Sequence, residues 1–274
     1  MSPEEKYLFD LHGYLVVQEA LSADLLGRLN GAIDYLESLG DEEVKELGAR
    51  RNYVDEDNVY AQTGGQPESG LGDYSFAALS YGGPFEELID LAKILPYVEE
   101  MIGEPCRLDA VAFLSRHGKG AFRFHHGYAE LLPYSEYVFQ DGTFKCVSVK
   151  ISYALTDVGI ADGCFAVIPG SHKSNFENPL VGQVPDPSHS LVEPVPCRAG
   201  DAVIFSEDLS HGAVENHSGR VRRTLFYSYA PAFHCKWRDL AFTAPGFAAR
   251  ATPRQLELVE GPPPFVEALA AAEQ

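Results

Sequence analysis

The sequence is poor in cysteine, and no two of its cysteines are placed to share a metal or a redox bond. Cys106, Cys146, Cys164, Cys197 and Cys235 are scattered, odd in number and form no Cys-x-x-Cys pair. Zinc ribbons and thioredoxin-type chemistry therefore have no support, and a reducing cytoplasm is the expected location. Long apolar runs are missing too: none reaches the roughly 18 residues that span a bilayer. The opening MSPEEKYLFDLHG has no basic segment followed by an apolar stretch, so no signal peptide is expected. Basic residues are outnumbered, 21 Lys and Arg against 40 Asp and Glu, a formal net charge of -19. A field of that sign repels phosphate, which argues against nucleic acid and anionic membranes as partners. A small anion held by a local basic patch stays open. What remains, 274 residues with 45% hydrophobic and 22% charged residues, is an ordinary soluble globular composition.

Helical signals come first. Ser2-Pro3-Glu4-Glu5 combines an N-cap serine, proline at the first helical position and glutamate at the third, and Gly13 would end that helix. Tyr14–Val17 reads as a short strand. Ser22 caps a second helix with Leu25, Leu29, Ile33 and Leu36 on one face. Residues 40–83 are polar and glycine-rich, a long loop region of the kind that serves as a lid. A third helical stretch covers about 84–102, with Pro96 kinking or splitting it. From Cys106 the texture turns to short apolar or alternating runs at 107–114, 122–126, 147–155, 164–168, 191–195, 202–206 and 224–229. Asp162-Gly163 reads as a hairpin turn between two of them. Helices followed by many short strands predict a mainly β sandwich or barrel with flanking helices, in one domain. Over 1–274 the expected division is a helical buttress with lid loops (1–105), a β-core (106–235) and a peripheral tail (236–274).

Two of the nine histidines stand where such a core could unite them. His125 follows Arg123-Phe124, and His211 lies 86 residues on, before Gly212. Two imidazoles and one carboxylate, with open positions for a co-substrate and dioxygen, make a mononuclear non-haem iron site. On spacing alone, the alternative is two packed or surface histidines of a β-protein.

The surrounding motifs point further. Asp162-Gly163-Cys164 continuing to Pro169-Gly170-Ser171-His172-Lys173 resembles the DGG…PGSHK segment of the phytanoyl-CoA dioxygenase family. Gly200-Asp201-Ala202-Val203-Ile204-Phe205, then Ser210-His211-Gly212, resembles that family's strand into its distal histidine. Gly13-Tyr14-Leu15-Val16-Val17 after a helix is similar as well. The resemblance covers roughly residues 4 to 235. It implies a double-stranded β-helix (jelly-roll, cupin-like) core and an oxidoreductase that uses iron(II), 2-oxoglutarate and dioxygen on a small molecule. It implies His125 and His211 as metal ligands and Arg222, eleven residues past His211, as the 2-oxoglutarate anchor, with Arg223 as the register alternative.

One position departs from that pattern. The family's proximal motif is His-x-Asp, and here His125-His126-Gly127 puts glycine where the carboxylate belongs. A register starting at His126 would put Tyr128 there, a poor third ligand. His-x-Gly resembles the iron- and 2-oxoglutarate-dependent halogenases, in which the missing carboxylate leaves a coordination position for chloride. Gly127 is then the halide position, and an aliphatic C–H becomes C–Cl. The competing readings are a hydroxylase or other dioxygenase in which Glu130 supplies the carboxylate, a site completed by water, and a jelly-roll binding protein without catalysis. A zinc hydrolase on the same fold would not explain Arg222.

Other residues have two readings each. Lys150, inside an apolar run, could point into the barrel and assist 2-oxoglutarate binding, or snorkel to the surface. Arg116, His117, Lys119 and Arg123 could hold an anionic substrate group, with Arg116, Arg123 and Glu130 as substrate contacts, or form a solvated turn around Gly118 and Gly120. His172 belongs to the Pro-Gly-Ser-His-Lys turn and reads as structural. Neither the substrate nor the oligomeric state is written in the sequence.

Overall fold

A computed structural model describes residues 1–47, 51–53, 74–76, 78–103, 105–127, 137–234 and 243–261. It opens with helix α1 (Pro3–His12), started by the expected capping box: Ser2 accepts from the Glu5 amide, and Glu5 reaches back to the Ser2 amide. Gly13 ends the helix in the left-handed region, φ 85°, where glycine meets no Cβ penalty. The chain then enters β1 (Tyr14–Val17) and α2 (Ala23–Ser38), which buries Leu25, Leu29, Ile33 and Leu36. The expected third helix is split. A 3-10 turn covers Gly83–Leu88 and α4 covers Leu95–Ile102, with Pro96 in its first turn rather than at a kink. A proline lacks the N–H that a helix interior needs, so it starts a helix instead of bending one.

Where the described residues enter the 40–83 region, they are structured rather than looped. They form α3 (Asp41–Glu46), β2 (Asn52–Tyr53) and β3 (Tyr74–Phe76). The two short strands pair with each other, and β3 adds to β4 (Cys106–Arg116) at the sheet edge. The tyrosines Tyr53 and Tyr74 pack edge to face, the kind of cross-strand aromatic contact that stabilises pairing. Most of the stretch read as a lid lies outside the described residues.

The remaining strands are β5 (Phe122–His125), β6 (Val138–Gln140), β7 (Thr143–Lys145), β8 (Val149–Ala154), β9 (Phe165–Val167), β10 (Glu193–Val195), β11 (Ala202–Ser206), β12 (His211–Ala213) and β13 (Arg222–Pro231). With the earlier strands they form a seven-stranded sheet, β1-β11-β8-β13-β4-β3-β2, a four-stranded sheet, β10-β9-β12-β5, and a two-stranded sheet, β6-β7. All the pairings are antiparallel. This is the expected antiparallel β-core with flanking helices. From β4 onward the chain passes repeatedly between the two larger sheets, as in a jelly roll.

Asp162-Gly163 is not a hairpin turn. The strands on either side of it, β8 and β9, belong to different sheets, so the turn carries the chain across. Gly163 has φ 77°, and a Cβ there would lie 2.7 Å from the Val214 carbonyl oxygen. The two-residue hairpin is Asp141-Gly142, with φ 54° and 79°, joining β6 to β7. Positive φ at both loop residues matches the twist of the flanking strands.

Alternation in the large sheet decides what faces where. Val149, Ile151, Tyr153, Leu225 and Tyr227 join the main core cluster with the helices, as does Leu258 of the helix Pro253–Glu260. The opposite face turns toward the small sheet and is more polar, carrying Lys150, Ser152, Arg222, Thr224, Ser228 and Arg116. Arg223, one residue out of phase with Arg222, therefore reaches the helices. It binds Asn30, Asp34 and Glu37 of α2.

Glu37 clamps α2 to the sheet, since its carboxylate also accepts from Tyr74 (2.7 Å) and Ser115 (3.2 Å). Burial alone would raise this carboxyl. The His117, Tyr74 and Arg223 contacts outweigh it and hold the group at about 2, against an ordinary value of 4.5. The unfolded chain therefore binds the extra proton first. The Glu37 contribution to stability is complete above pH 4.5 and is lost as pH falls toward 2. Thermal melts of wild type and Glu37→Gln across that window should converge on acidification. A constant difference in Tm would contradict the clamp.

Candidate metal centre

His125 closes β5, His211 opens β12, and the two residues are directly opposite one another in the ladder. A register shift follows: Ala213 pairs with Phe122, so three steps on β5 match two on β12. In a regular strand, Phe122 and His125 would point to opposite faces. The bulge puts them on the same side, with ring centroids 4.4 Å apart. Gly212 sits against it, and a Cβ there would lie 2.4 Å from the Phe122 carbonyl oxygen.

The two imidazole centroids are 4.1 Å apart. Each ring is fixed by its own strand: His125 Nδ1 lies 3.0 Å from the Arg123 carbonyl oxygen, and His211 Nδ1 2.7 Å from that of Leu209. A carbonyl only accepts, so Nδ1 carries the proton and Nε2 the lone pair. That tautomer is the one a metal-binding imidazole needs, with the second nitrogen tied by an outer partner. Phe205 and Phe165 wall in His211 at 4.7 and 5.6 Å. Burial is the main cause that pushes the His125 imidazole down to about 4 and His211 well below its ordinary range, so both are neutral at neutral pH. Neutral imidazoles with an unprotonated nitrogen each suit a divalent cation. Among the described residues, no three His, Cys, Asp or Glu side chains are already gathered about one point.

The other expected site residues fall into two groups. Arg222 is buried, faces the small sheet and donates to the Gly163 carbonyl from Nη1. Arg116 is directly across the ladder from it, is also buried, and donates to the Ala121 carbonyl at 3.1 Å. Lys150 turns into the barrel rather than snorkelling outward, and its Nζ lies 2.6 Å from Glu207 Oε1. Arg123 stays at the surface, donating to the Gly182 carbonyl. His117 reaches toward Glu37 and stacks on Tyr74, so the four basic residues near 120 do not converge. His172 is buried against Phe9 and Tyr137, with its Nδ1 2.5 Å from where a Cβ on Gly13 would be. This packing matches its structural reading. Glu130 lies outside the described residues.

Gly127 was expected as the halide position. The space that its side chain would enter is not open. A Cβ there would lie 2.5 Å from Glu207 Cγ and 2.9 Å from the Glu207 carbonyl oxygen, which already accepts from the Gly127 amide at 2.6 Å. The sequence reading passed over Glu207. Its signal was the alternation of β11: Val203 and Phe205 face inward, and Glu207 continues their parity past the strand end.

An antiparallel double sheet with two neutral histidines facing each other across its small sheet defines a cupin-like fold with a candidate mononuclear metal centre. The model of the phytanoyl-CoA dioxygenase family matches residues 9–224, and the chain belongs to that family of iron(II)- and 2-oxoglutarate-dependent oxygenases. A phytanoyl-CoA dioxygenase of Arabidopsis thaliana is 23% identical over 269 residues, covering 86% of this chain and 91% of the relative. The dioxygenase olcK of Penicillium canescens is 24% identical, covering 80% and 67%. Among solved structures, HygX from Streptomyces hygroscopicus with nickel, 2-oxoglutarate and hygromycin B bound superposes with TM-score 0.65 at 21% identity, over 89% of this chain and 96% of that one. The 2-oxoglutarate-dependent carbocyclase SnoK from nogalamycin biosynthesis gives 0.60 at 19% identity, over 92% of each. At such identities the structural likeness concerns the fold.

Gly127→Ala should destabilise the protein by about 1–3 kcal/mol, the usual cost of forcing an extra group into a filled space. Urea denaturation measures it. A change within about 0.5 kcal/mol, typical of unconstrained surface sites, would mean that the Gly127–Glu207 contact is loose.

Proposed function

We propose that this chain is an iron(II)- and 2-oxoglutarate-dependent oxygenase that oxidises an aliphatic C–H bond of a small organic molecule. The observation that carries the reading is the cross-strand pair His125 and His211, with both Nδ1 atoms tied to backbone carbonyls. These two side chains would hold the metal through Nε2. Iron(II) with 2-oxoglutarate, when bound, supplies the activation of dioxygen. The protein contributes a rigid pair of nitrogens, aromatic walls from Phe165 and Phe205 that exclude water, and buried positive charge for the co-substrate. Arg222 is the anchor for the distal carboxylate of 2-oxoglutarate, since a planar guanidinium can pair with it through two parallel hydrogen bonds. Arg116 beside it strengthens that anionic end. Arg223 is spent on α2 and takes no part.

HygX was solved with nickel and 2-oxoglutarate bound and also with iron bound, which supports the same cofactors here. Oxygenation is favoured over halogenation because the room beside Gly127 contains the Glu207 side chain. Product formation should then be indifferent to chloride. Mass spectrometry of the product in chloride-containing and chloride-free buffer decides this, and a halogenated product would reinstate the chloride reading.

His125→Ala and His211→Ala should each reduce iron content and 2-oxoglutarate-dependent succinate release to background. Arg222→Ala should raise the KM for 2-oxoglutarate about thirtyfold or more, the equivalent of losing about 2 kcal/mol from a buried charge pair. Arg223→Ala should lower Tm and leave that KM nearly unchanged. The reverse pattern for the two arginines would shift the anchor by one residue.

A further inference from the structure

We infer that Glu207 supplies the metal-binding carboxylate that position 127 lacks. This rests on the metal-site reading above and adds a specific third donor to it. A site of two neutral imidazoles brings no negative charge to a divalent cation, and the iron sites of this kind complete themselves with one carboxylate. On β5, the residue two places after His125 is glycine, so that carboxylate must come from elsewhere. Glu207 approaches that position from the turn after β11. Its Cγ lies where a side chain on residue 127 would begin, 2.5 Å from the ideal Cβ position. The backbones are locked together by the Gly127 amide donating to the Glu207 carbonyl at 2.6 Å. Glycine at 127 is the residue that permits this approach, and the carboxylate arrives as it leaves.

A second, independent observation concerns the carboxylate itself. Glu207 is only 6% exposed. Lys150 binds Oε1, and Oε2 is buried and meets no hydrogen-bond donor among the described residues. A buried charged oxygen without a partner is costly and rare in native proteins. A cation held with His125 and His211 would satisfy it. The three donors are not yet gathered about one point, and Oε1 is engaged, so Oε2 is the atom left for a metal. Lys150 is then the counter-ion of a ligand, held at 2.6 Å from Glu207 Oε1. It also competes with the metal for that charge.

The test uses cobalt(II) as probe, without 2-oxoglutarate or dioxygen, on the full chain. Calorimetric titration and the visible ligand-field absorption of cobalt are followed in wild type, Glu207→Gln, Lys150→Met and His211→Ala. We expect one site in wild type, at least about tenfold weaker binding in Glu207→Gln with the melting point of the metal-free protein preserved, and equal or tighter binding in Lys150→Met. Losing an outer-shell partner alone can cost roughly 10–100-fold, so the direction of the lysine variant separates a ligand from a positioning residue. Glu207→Gln binding within tenfold of wild type would overturn the assignment, and so would a loss in Lys150→Met matching that in Glu207→Gln. Binding that depends on His211 but not on Glu207 would remove this inference alone. No binding by wild type would remove the metal-site reading with it. A cobalt-soaked crystal of the wild-type protein is the second measurement, needing no variant to fold. A Glu207 oxygen at about 2.0–2.2 Å from the metal, the usual carboxylate distance for such an ion, supports the assignment. Water or chloride in that position overturns it.

Discussion

The register of one short antiparallel pair governs the centre of this molecule. His211 faces His125 because β12 and β5 meet in a single alignment, and a slip of one residue would turn one imidazole to the other face of the sheet. A bulge opposite Gly212 and the close seat of Gly127 on Glu207 pin that alignment from both sides. The two glycines flanking the histidines are therefore steric requirements of the pairing, each excluding a Cβ from contact with backbone oxygen.

The large sheet supplies the charge on this scaffold. Its inner face carries Lys150, Arg116 and Arg222, while the out-of-phase Arg223 binds the helices. In a chain with a net charge of -19, strand parity gathers these cations on one face, with Lys150 paired to Glu207. The excess of acidic residues elsewhere repels large polyanions.

Much of this was legible beforehand. The caps at Ser2 and Ser22 and the helix-first, strand-later order follow from local rules acting within a few residues, whereas His125, His211 and Arg222 were singled out by the resemblance of their motifs. The misreadings arose where identical local signals meet different tertiary contexts. Asp141-Gly142 and Asp162-Gly163 are the same dipeptide, yet only the first joins paired strands; the second crosses between sheets. Gly127 was legible as a missing side chain, but its filled surroundings were not, because Glu207 lies 80 positions away in sequence (207 − 127). A residue contributed by a distant turn leaves no periodic trace near the histidines. Only the inward parity of Val203 and Phe205 hinted at Glu207.

The central claim is that His125 and His211 hold one metal ion that also takes 2-oxoglutarate. Anaerobic addition of iron(II) and 2-oxoglutarate to the purified protein tests it most directly, read by the visible charge-transfer band of a bidentate 2-oxo-acid chelate. The band should appear in wild type at one equivalent of iron, persist in Arg223→Ala and be absent from His125→Ala and His211→Ala. No band in wild type, or an undiminished band in either histidine variant, would contradict the account.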